Sequence, residues 1–377
     1  MGKYEDLSKE ELIRLAQKQE KELKTKKYGL VWDSEKEPEK VVLDCENNLP
    51  ILERVKDKEI KTDEEEDNIL IEGDNYHALT VLNYTHKEKV DVIYIDPPYN
   101  RGGDFYYNDR RIEKDDGYKH SLWLNFMEKR LNIAKNILSE NGVLIISIDD
   151  AEYSNLHLLC NKIFDEVHVD TMVWRKSGDG RDGKMKNTTT FRKDHEYLIF
   201  CFKGENRLNK IREKPNFQHE QKNPDNDKRG PWLSGSISRT ETASNKNHEN
   251  YYTVISPSGK KFTRQFDIPE EDFKELNVDG RISWGKTGGS VPRIKVFMNE
   301  EREITPYSVL LSKGTTTEGT KEVSAILNKD CSKMRPKPTL LISTLVQLCS
   351  NDDSIVLDFF AGTGTTGHAV KLLNKRY

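Results

Sequence analysis

Two short stretches of this 377-residue chain carry residue types that can do chemistry together. The first is Val90-Asp-Val-Ile-Tyr-Ile-Asp-Pro-Pro-Tyr-Asn100, in which an apolar run ends in a carboxylate (Asp96), a rigid diproline (Pro97 and Pro98) and an aromatic ring (Tyr99). Each proline fixes φ and has no N–H to donate. The Asp96 carboxylate and the Pro97 carbonyl are therefore free to converge as two acceptors on one amino group. The exocyclic amino group of adenine offers two hydrogens to such a pair. Accepting both turns the nitrogen lone pair away from the ring, toward an electrophilic methyl placed in line with it. Tyr99 adds a flat face for the base. The bland alternative is an ordinary strand-ending turn.

The second stretch, Ile355-Val-Leu-Asp-Phe-Phe-Ala-Gly-Thr-Gly-Thr-Thr366, reads as strand, glycine-rich turn and helix start. Asp358, Phe360, Gly362, Gly364 and Thr365 fall in the turn. Glycines let a backbone approach a ligand closely, and a helix N-terminus presents unpaired N–H donors. A phosphate loop would continue Gly-Lys-Ser/Thr, which is absent. Gly362, Gly364 and Gly367 do fit the dinucleotide spacing G-x-G-x-x-G, so a nicotinamide-binding loop stays open from this stretch alone.

Both stretches need strands to hold them. Val90 to Ile95 has the near-continuous apolar character of a buried parallel strand. Around it, strands are predicted at 68–71, 143–148, 167–174, 197–202 and 355–359. Helices are predicted at 76–83, 120–139 (ending at Asn141-Gly142), 153–164, 338–349 and 366–373. Alternating elements imply an α/β fold with a doubly wound, mostly parallel sheet. Between about Lys203 and Lys333 this pattern gives way to short segments rich in Gly, Pro, Asn and Ser, an inserted domain. The expected organisation is an N-terminal helical arm and linker at 1–67, opened by a Ser8/Glu11 capping box. A catalytic part at 68–203, the insert at 204–332 and a cofactor part at 333–377 follow.

The net charge of −4 looks unfavourable for a nucleic-acid binder, but its distribution is uneven. Residues 1–74 hold 22 acidic against 14 basic side chains, whereas 174–193 hold seven basic against two acidic and 205–264 twelve against seven. The 174–193 loop, with Gly178, Gly180 and Gly183, suits phosphate contacts or is simply a solvated loop. Trp232, Tyr251, Tyr252, Trp284 and Arg293 of the insert either meet bases or build the insert's own core. Five scattered cysteines without C-x-x-C spacing argue against disulfides and zinc. Apolar runs fall well short of the ~20 residues of a membrane span and the N-terminus opens with charge, so a cytoplasmic protein is expected.

Taken together, the Asp-Pro-Pro-Tyr and Phe-x-Gly-x-Gly stretches, in that order and with a large insert between them, resemble the β-ordered amino-methyltransferases of DNA. Asp at the first motif position resembles the N6-adenine members. Tyr28-Gly-Leu-Val-Trp32, Leu70-Ile-Glu-Gly-Asp-Asn75, Trp123-Leu-Asn-Phe126, Ile146-Ser-Ile-Asp149 and His195-Glu-Tyr197 are similar to the modification subunit of type III restriction systems. The resemblance implies a Rossmann-like methyltransferase sheet, circularly permuted so that the cofactor strand comes last, with the insert as target-recognition domain. It implies direct methyl transfer from S-adenosyl-L-methionine to a flipped adenine in double-stranded DNA, with Asp96, Pro97, Pro98 and Tyr99 catalytic and no metal. Asp74, Lys337, Pro338, Asp358, Phe360, Gly362, Gly364 and Thr365 are then cofactor-site positions, Lys337-Pro338 shaping the methionine end. Asp74 has a second reading as a helix cap. A restriction subunit and a second copy of the chain are the implied protein partners. The family's next strand, which carries an acidic residue to the cofactor ribose, would follow Tyr377. The chain is therefore expected to be a fragment of a longer subunit or impaired in cofactor binding, and a catalytically silent recognition component is the alternative function.

Overall fold

The computed structural model describes residues 8–9, 12–14, 16, 32, 38–60, 68–103, 105–108, 110–178, 191–205, 208–214 and 223–375. They form two units, residues 1–209 with 306–377, and residues 210–305. The first runs α1 (Lys40–Asn47), α2 (Asn75–Thr85), β1 (Val90–Ile95), α3 (Lys119–Ile137), β2 (Leu138–Ile148), α4 (Tyr153–Phe164), β3 (Val169–Arg175) and β4 (His195–Phe202). The second holds β5 (Ile211–Glu213), β6 (Trp232–Gly235), β7 (Tyr251–Ile255), β8 (Lys261–Gln265), α5 (Glu270–Val278), β9 (Ile282–Ser283), β10 (Arg293–Phe297) and β11 (Arg302–Ile304). The chain then returns to the first unit with β12 (Val309–Leu310), α6 (Thr316–Leu327), α7 (Thr339–Cys349), β13 (Val356–Leu357) and α8 (Thr365–Asn374).

The main sheet has the order β12-β3-β4-β2-β1-β13. β13, last in the chain, pairs parallel with β1 through Val92 opposite Val356 and Ile93 opposite Leu357. β1 is parallel to β2 and β12 to β3, while β4 is antiparallel to both of its neighbours. This is the α/β sheet the alternating elements call for, with its last strand beside its first. Ile93, Ile95, Leu144 and Ile146 face one apolar cluster with α2, α3 and α4. Their alternates Val92, Tyr94, Val143 and Ile145 are equally buried, and α7 packs on that side of β1. Burial on both faces is why this run lacks polar alternation. Each such Ile or Val contributes about 2 kcal/mol of apolar burial.

Three expectations are corrected. Asn68–Ile71 is not a strand: Ile69 and Leu70 are 72% and 88% exposed, and both edges of β1 are already taken by β2 and β13. Helix α3 ends at Ile137, two residues before the expected Ser139 and without Asn141-Gly142 as its cap, because neighbouring segments take its last carbonyls. Glu88 N–H donates to Asn136, Lys89 N–H to Ile137 and Lys203 Nζ to Leu138. Asn141-Gly142 instead lies inside β2, where the pairing with β1 shifts register. The compact second unit is also narrower than 204–332. Val309–Leu310 extends the main sheet beside Val173 and Trp174, and α6 opens with a Thr315/Glu318 capping box.

The second unit has its own core of Ile237, Val254, Phe262, Phe266, Phe273, Ile282 and Trp284. Tyr252 stacks on Phe266 at 4.4 Å. Tyr252 and Trp284 are thus core residues, whereas Trp232 donates to Asp225 and the exposed Arg293 to Ser234. At the N-terminus, Leu12 N–H donates to Ser8 O, but Glu11 of the expected capping box lies outside the described residues, as do 179–190 of the basic loop. No helix among the described residues is long and apolar enough to cross a membrane.

Candidate active site

The carboxyl end of β1 delivers Asp96, and the turn that follows is held from three sides. Buried Trp123 on α3 donates its indole N–H to the Pro98 carbonyl at 2.7 Å. Asn100, buried and left-handed at φ 56°, donates to Glu152 Oε1 at 2.6 Å and to the Lys119 carbonyl at 3.1 Å. Asparagine tolerates that backbone region better than most side chains. Arg101 pairs with Asp149 at the end of β2. Among the described residues, the Pro97 carbonyl accepts no protein donor.

On this turn the structure brings together three residues given site roles from sequence and one that was given none. Lys337 Nζ lies 2.8 Å from both Asp96 carboxylate oxygens and 2.8 Å from the Tyr99 hydroxyl. Glu196, on β4, is 3.3 Å from Lys337 Nζ and accepts from Tyr99 at 3.1 Å. Tyr99 is also 2.8 Å from Asp96 Oδ1. Lys176 reaches the other Glu196 oxygen at 3.2 Å. Burial pushes the Glu196 carboxyl up, and Lys337 and Lys176 outweigh it, holding it below its ordinary value. Burial pulls Lys337 down, and Asp96 and Glu196 overcome it, so the ammonium is firmly charged. Burial, reinforced by Asp96, keeps the Tyr99 phenol protonated. His195-Glu-Tyr197 was visible in the sequence, yet nothing in it says that Glu196 meets residues 97 and 141 positions away.

The glycine turn follows β13, whose neighbour is β1, so both chemical stretches leave the same end of adjacent parallel strands. That end is where open α/β sheets bind ligands. Asp358 turns on its own loop: Phe360 N–H donates to Oδ1 at 2.9 Å and the Thr366 hydroxyl to Oδ2 at 2.6 Å. Burial raises its pKa to about 6 against those two donors. Gly362 and Gly364 have φ of 52° and 78°, which a side chain would strain. Thr365 opens α8 with its hydroxyl 3.2 Å from that of Thr363. Gly367 sits inside α8, and a Cβ there would meet no atom within 4 Å. The third glycine of a dinucleotide loop serves close helix–strand packing, so the spacing match at Gly367 lacks its physical basis.

Asp74 caps α2 by accepting from Tyr76 N–H at 2.7 Å, its side chain about half exposed. The next residue, Asn75, joins α2 to the glycine turn by donating to the Phe359 carbonyl at 3.0 Å. Its amide oxygen accepts from Arg130, a fully buried guanidinium paired with both oxygens of Glu39. Phe360 packs on Phe126, on whose ring Arg130 also lies. Pro338 is the N-cap of α7, its carbonyl accepting from Leu341. Asn75 was visible only as the last residue of Leu70–Asn75 and Arg130 carried no sequence signal, since their role is to meet each other.

The family model "DNA methylase" matches residues 90–377, most of the chain and both stretches. The chain belongs to the DNA methylase family. The chain is 30% identical over 82% of its length to the type III restriction-modification enzyme StyLTI Mod subunit of Salmonella typhimurium, covering 50% of that protein. It is 27% identical over 97% of its length to the EcoP15I Mod subunit of Escherichia coli, covering 65% of it. The type II methyltransferase M.KpnI of Klebsiella pneumoniae is 27% identical over 80% of the chain and is 76% covered. The chain therefore spans half to two thirds of the Mod subunits it matches.

Proposed function

We propose that the chain is the catalytic part of a site-specific DNA methyltransferase that moves a methyl group from S-adenosyl-L-methionine to N6 of a flipped adenine, within a restriction–modification system. One observation supports it above the rest. The Asp96–Tyr99 turn and the Asp358–Thr365 turn leave the same ends of two hydrogen-bonded parallel strands. The cofactor fits the residues present. The turn bends through positive-φ glycines, a Cβ on Gly364 would meet nothing within 4 Å, and Asp358 is a half-buried carboxylate suited to a cationic amino group. When bound, S-adenosylmethionine supplies an electrophilic methyl on a sulfonium.

The chain's own residues do the rest. Asp358 with Asp74 anchors the polar ends of the cofactor, and Phe360 provides an apolar wall. Asp96 and the Pro97 carbonyl accept the two hydrogens of the adenine amino group and expose its lone pair. Tyr99 faces the base, and Asp96 would take up the proton that the amino nitrogen gives up on gaining the methyl group, the electron pair of the broken S–C bond staying on sulfur. The base leaves the duplex for this, at about a few kcal/mol of lost stacking. The second unit carries target recognition, and a restriction subunit is the natural partner by similarity to the Mod subunits. Sequencing that reports modified bases in a host expressing the chain tests the proposal: N6-methyladenine at one recurring sequence is expected with the wild type and none with Asp96→Ala. Unmodified DNA together with no saturable S-adenosylmethionine binding overturns it.

A further inference from the structure

One ammonium at the end of β1 is shared by four oxygens. Lys337 Nζ has Asp96 Oδ1, Asp96 Oδ2 and the Tyr99 hydroxyl at 2.8 Å and Glu196 Oε2 at 3.3 Å. It has three hydrogens to give. The site is over-subscribed, and Glu196 is the acceptor held least closely. The position Lys337 occupies is also the one a target amino group must reach, within hydrogen-bond distance of the Asp96 carboxylate. Lys337 lacks a lone pair while it is charged, and Asp96 and Glu196 keep it charged. It can vacate the position only by moving, not by losing a proton.

We propose that in the free protein Lys337 stands in for the target amino group on Asp96, and that Glu196 is the positioning residue that receives the ammonium when the base enters. The inference rests on the adenine-methyltransferase reading above. Charge arithmetic favours the exchange. Asp96 and Glu196 are matched by Lys337 and Lys176, so sliding Lys337 from one carboxylate to the other brings no net charge into the buried site. Tyr99 bridges the same two carboxylates at 2.8 and 3.1 Å, so its hydroxyl can turn to whichever one the ammonium leaves. A carboxylate is needed at 196 because a neutral acceptor would leave Asp96 the only charged partner and hold Lys337 on it.

Methylation kinetics on the site duplex, with S-adenosylmethionine affinity from calorimetry, test this. Glu196→Gln is expected to lower kcat about tenfold or more while cofactor affinity stays within about twofold, because a stronger hold on Asp96 obstructs the amino group alone. Glu196→Asp, which keeps the charge, is expected to recover most of the loss. Lys337→Met added to Glu196→Gln is expected to turn over faster than Glu196→Gln, a rescue that lost packing would not give. A wild-type rate for Glu196→Gln, or no rescue by a double variant that still binds S-adenosylmethionine, overturns the proposal. A second measurement covers the case in which Lys337→Met loses the cofactor: affinity, in the presence of S-adenosylhomocysteine, for duplexes with adenine or with unsubstituted purine at the target. Glu196→Gln is expected to weaken only the adenine duplex, and equal weakening of both overturns the proposal. A wild type that methylates no adenine defeats the underlying reading instead, while the two duplexes still judge Glu196.

Discussion

Two lysines of this molecule are each buried between two carboxylates, and they are built for opposite ends. Lys295, in the second unit, bridges Asp225 and Asp227, and those carboxylates are further bound by rigid neighbours. Asp227 also accepts from the Arg229 backbone N–H and from both Nε and Nη2 of its guanidinium, and Asp225 accepts from Trp232. Among the described residues, Lys337 bridges Asp96 and Glu196 with only a rotatable hydroxyl and one further lysine attached. Arg229 and Lys295 hold the Asp227 carboxyl far below its ordinary range, as a permanent anion. The difference teaches that burial of an ion pair does not make it structural. What matters is whether its partners have somewhere else to go.

The largest contrast comes from removing one carboxylate of each pair. Asp96→Ala is expected to reduce methylation by about a thousandfold or more while the protein stays folded and binds cofactor, since it removes the acceptor of the reacting amino group. Asp227→Ala is expected to leave the rate per folded molecule and the cofactor affinity intact and to lower the midpoint of urea unfolding. An Asp227→Ala protein that folds normally but has lost turnover would dissolve the distinction between the two clusters.

A second contrast is carried by pH. Burial lifts Asp358 to about 6, so the folded protein favours its protonated form and this group destabilises the folded state as pH rises from its ordinary 3.8 through 6. For a cationic cofactor the sign is reversed, because only the ionised form attracts an ammonium. Affinity for S-adenosylmethionine is expected to be level above about pH 7 and to fall below about pH 6, by up to about tenfold per unit. Calorimetry across that range reads it. Asp358→Asn should bind more weakly and flatten the curve, and a wild-type curve already flat would remove Asp358 from the cofactor's amino group.

What the sequence made legible was whatever depends on local pattern. The run from Val90 to Ile95 and the amphipathic helices now seen as α3 and α4 could be read because burial writes itself as periodicity. The Asp96–Tyr99 turn stood out because four consecutive residue types of that kind have few other uses, and the structure places it at the carboxyl end of β1. The misses are of a different kind. Ile69 and Leu70 look like strand residues, yet stay exposed because β13 already occupies the edge of β1. Val309–Leu310 looks like part of the insert, yet completes the main sheet. Glu196 and Lys337 lie 141 positions apart, and the Glu39–Arg130–Asn75 chain spans 91. Such meetings are made by topology, which residue types do not encode one position at a time.

The smallest effect separates the two glycine types of the Asp358–Thr365 turn and the helix it opens. Gly364 has φ 78° at the N-cap of α8, where alanine would be strained by about 1 kcal/mol, and it borders the open space in front of the turn. Gly367 is helical and unobstructed, so alanine there should stabilise the protein by about 0.5–1 kcal/mol through its better helix propensity. Gly367→Ala is therefore expected to raise the unfolding midpoint slightly and to bind S-adenosylmethionine as the wild type does, whereas Gly364→Ala loses on both measures. A dinucleotide-type loop needs its third glycine for close helix packing, so it predicts the opposite for Gly367. If Gly367→Ala weakened cofactor binding as much as Gly364→Ala, the turn would be using all three glycines, and its open geometry would have been misread.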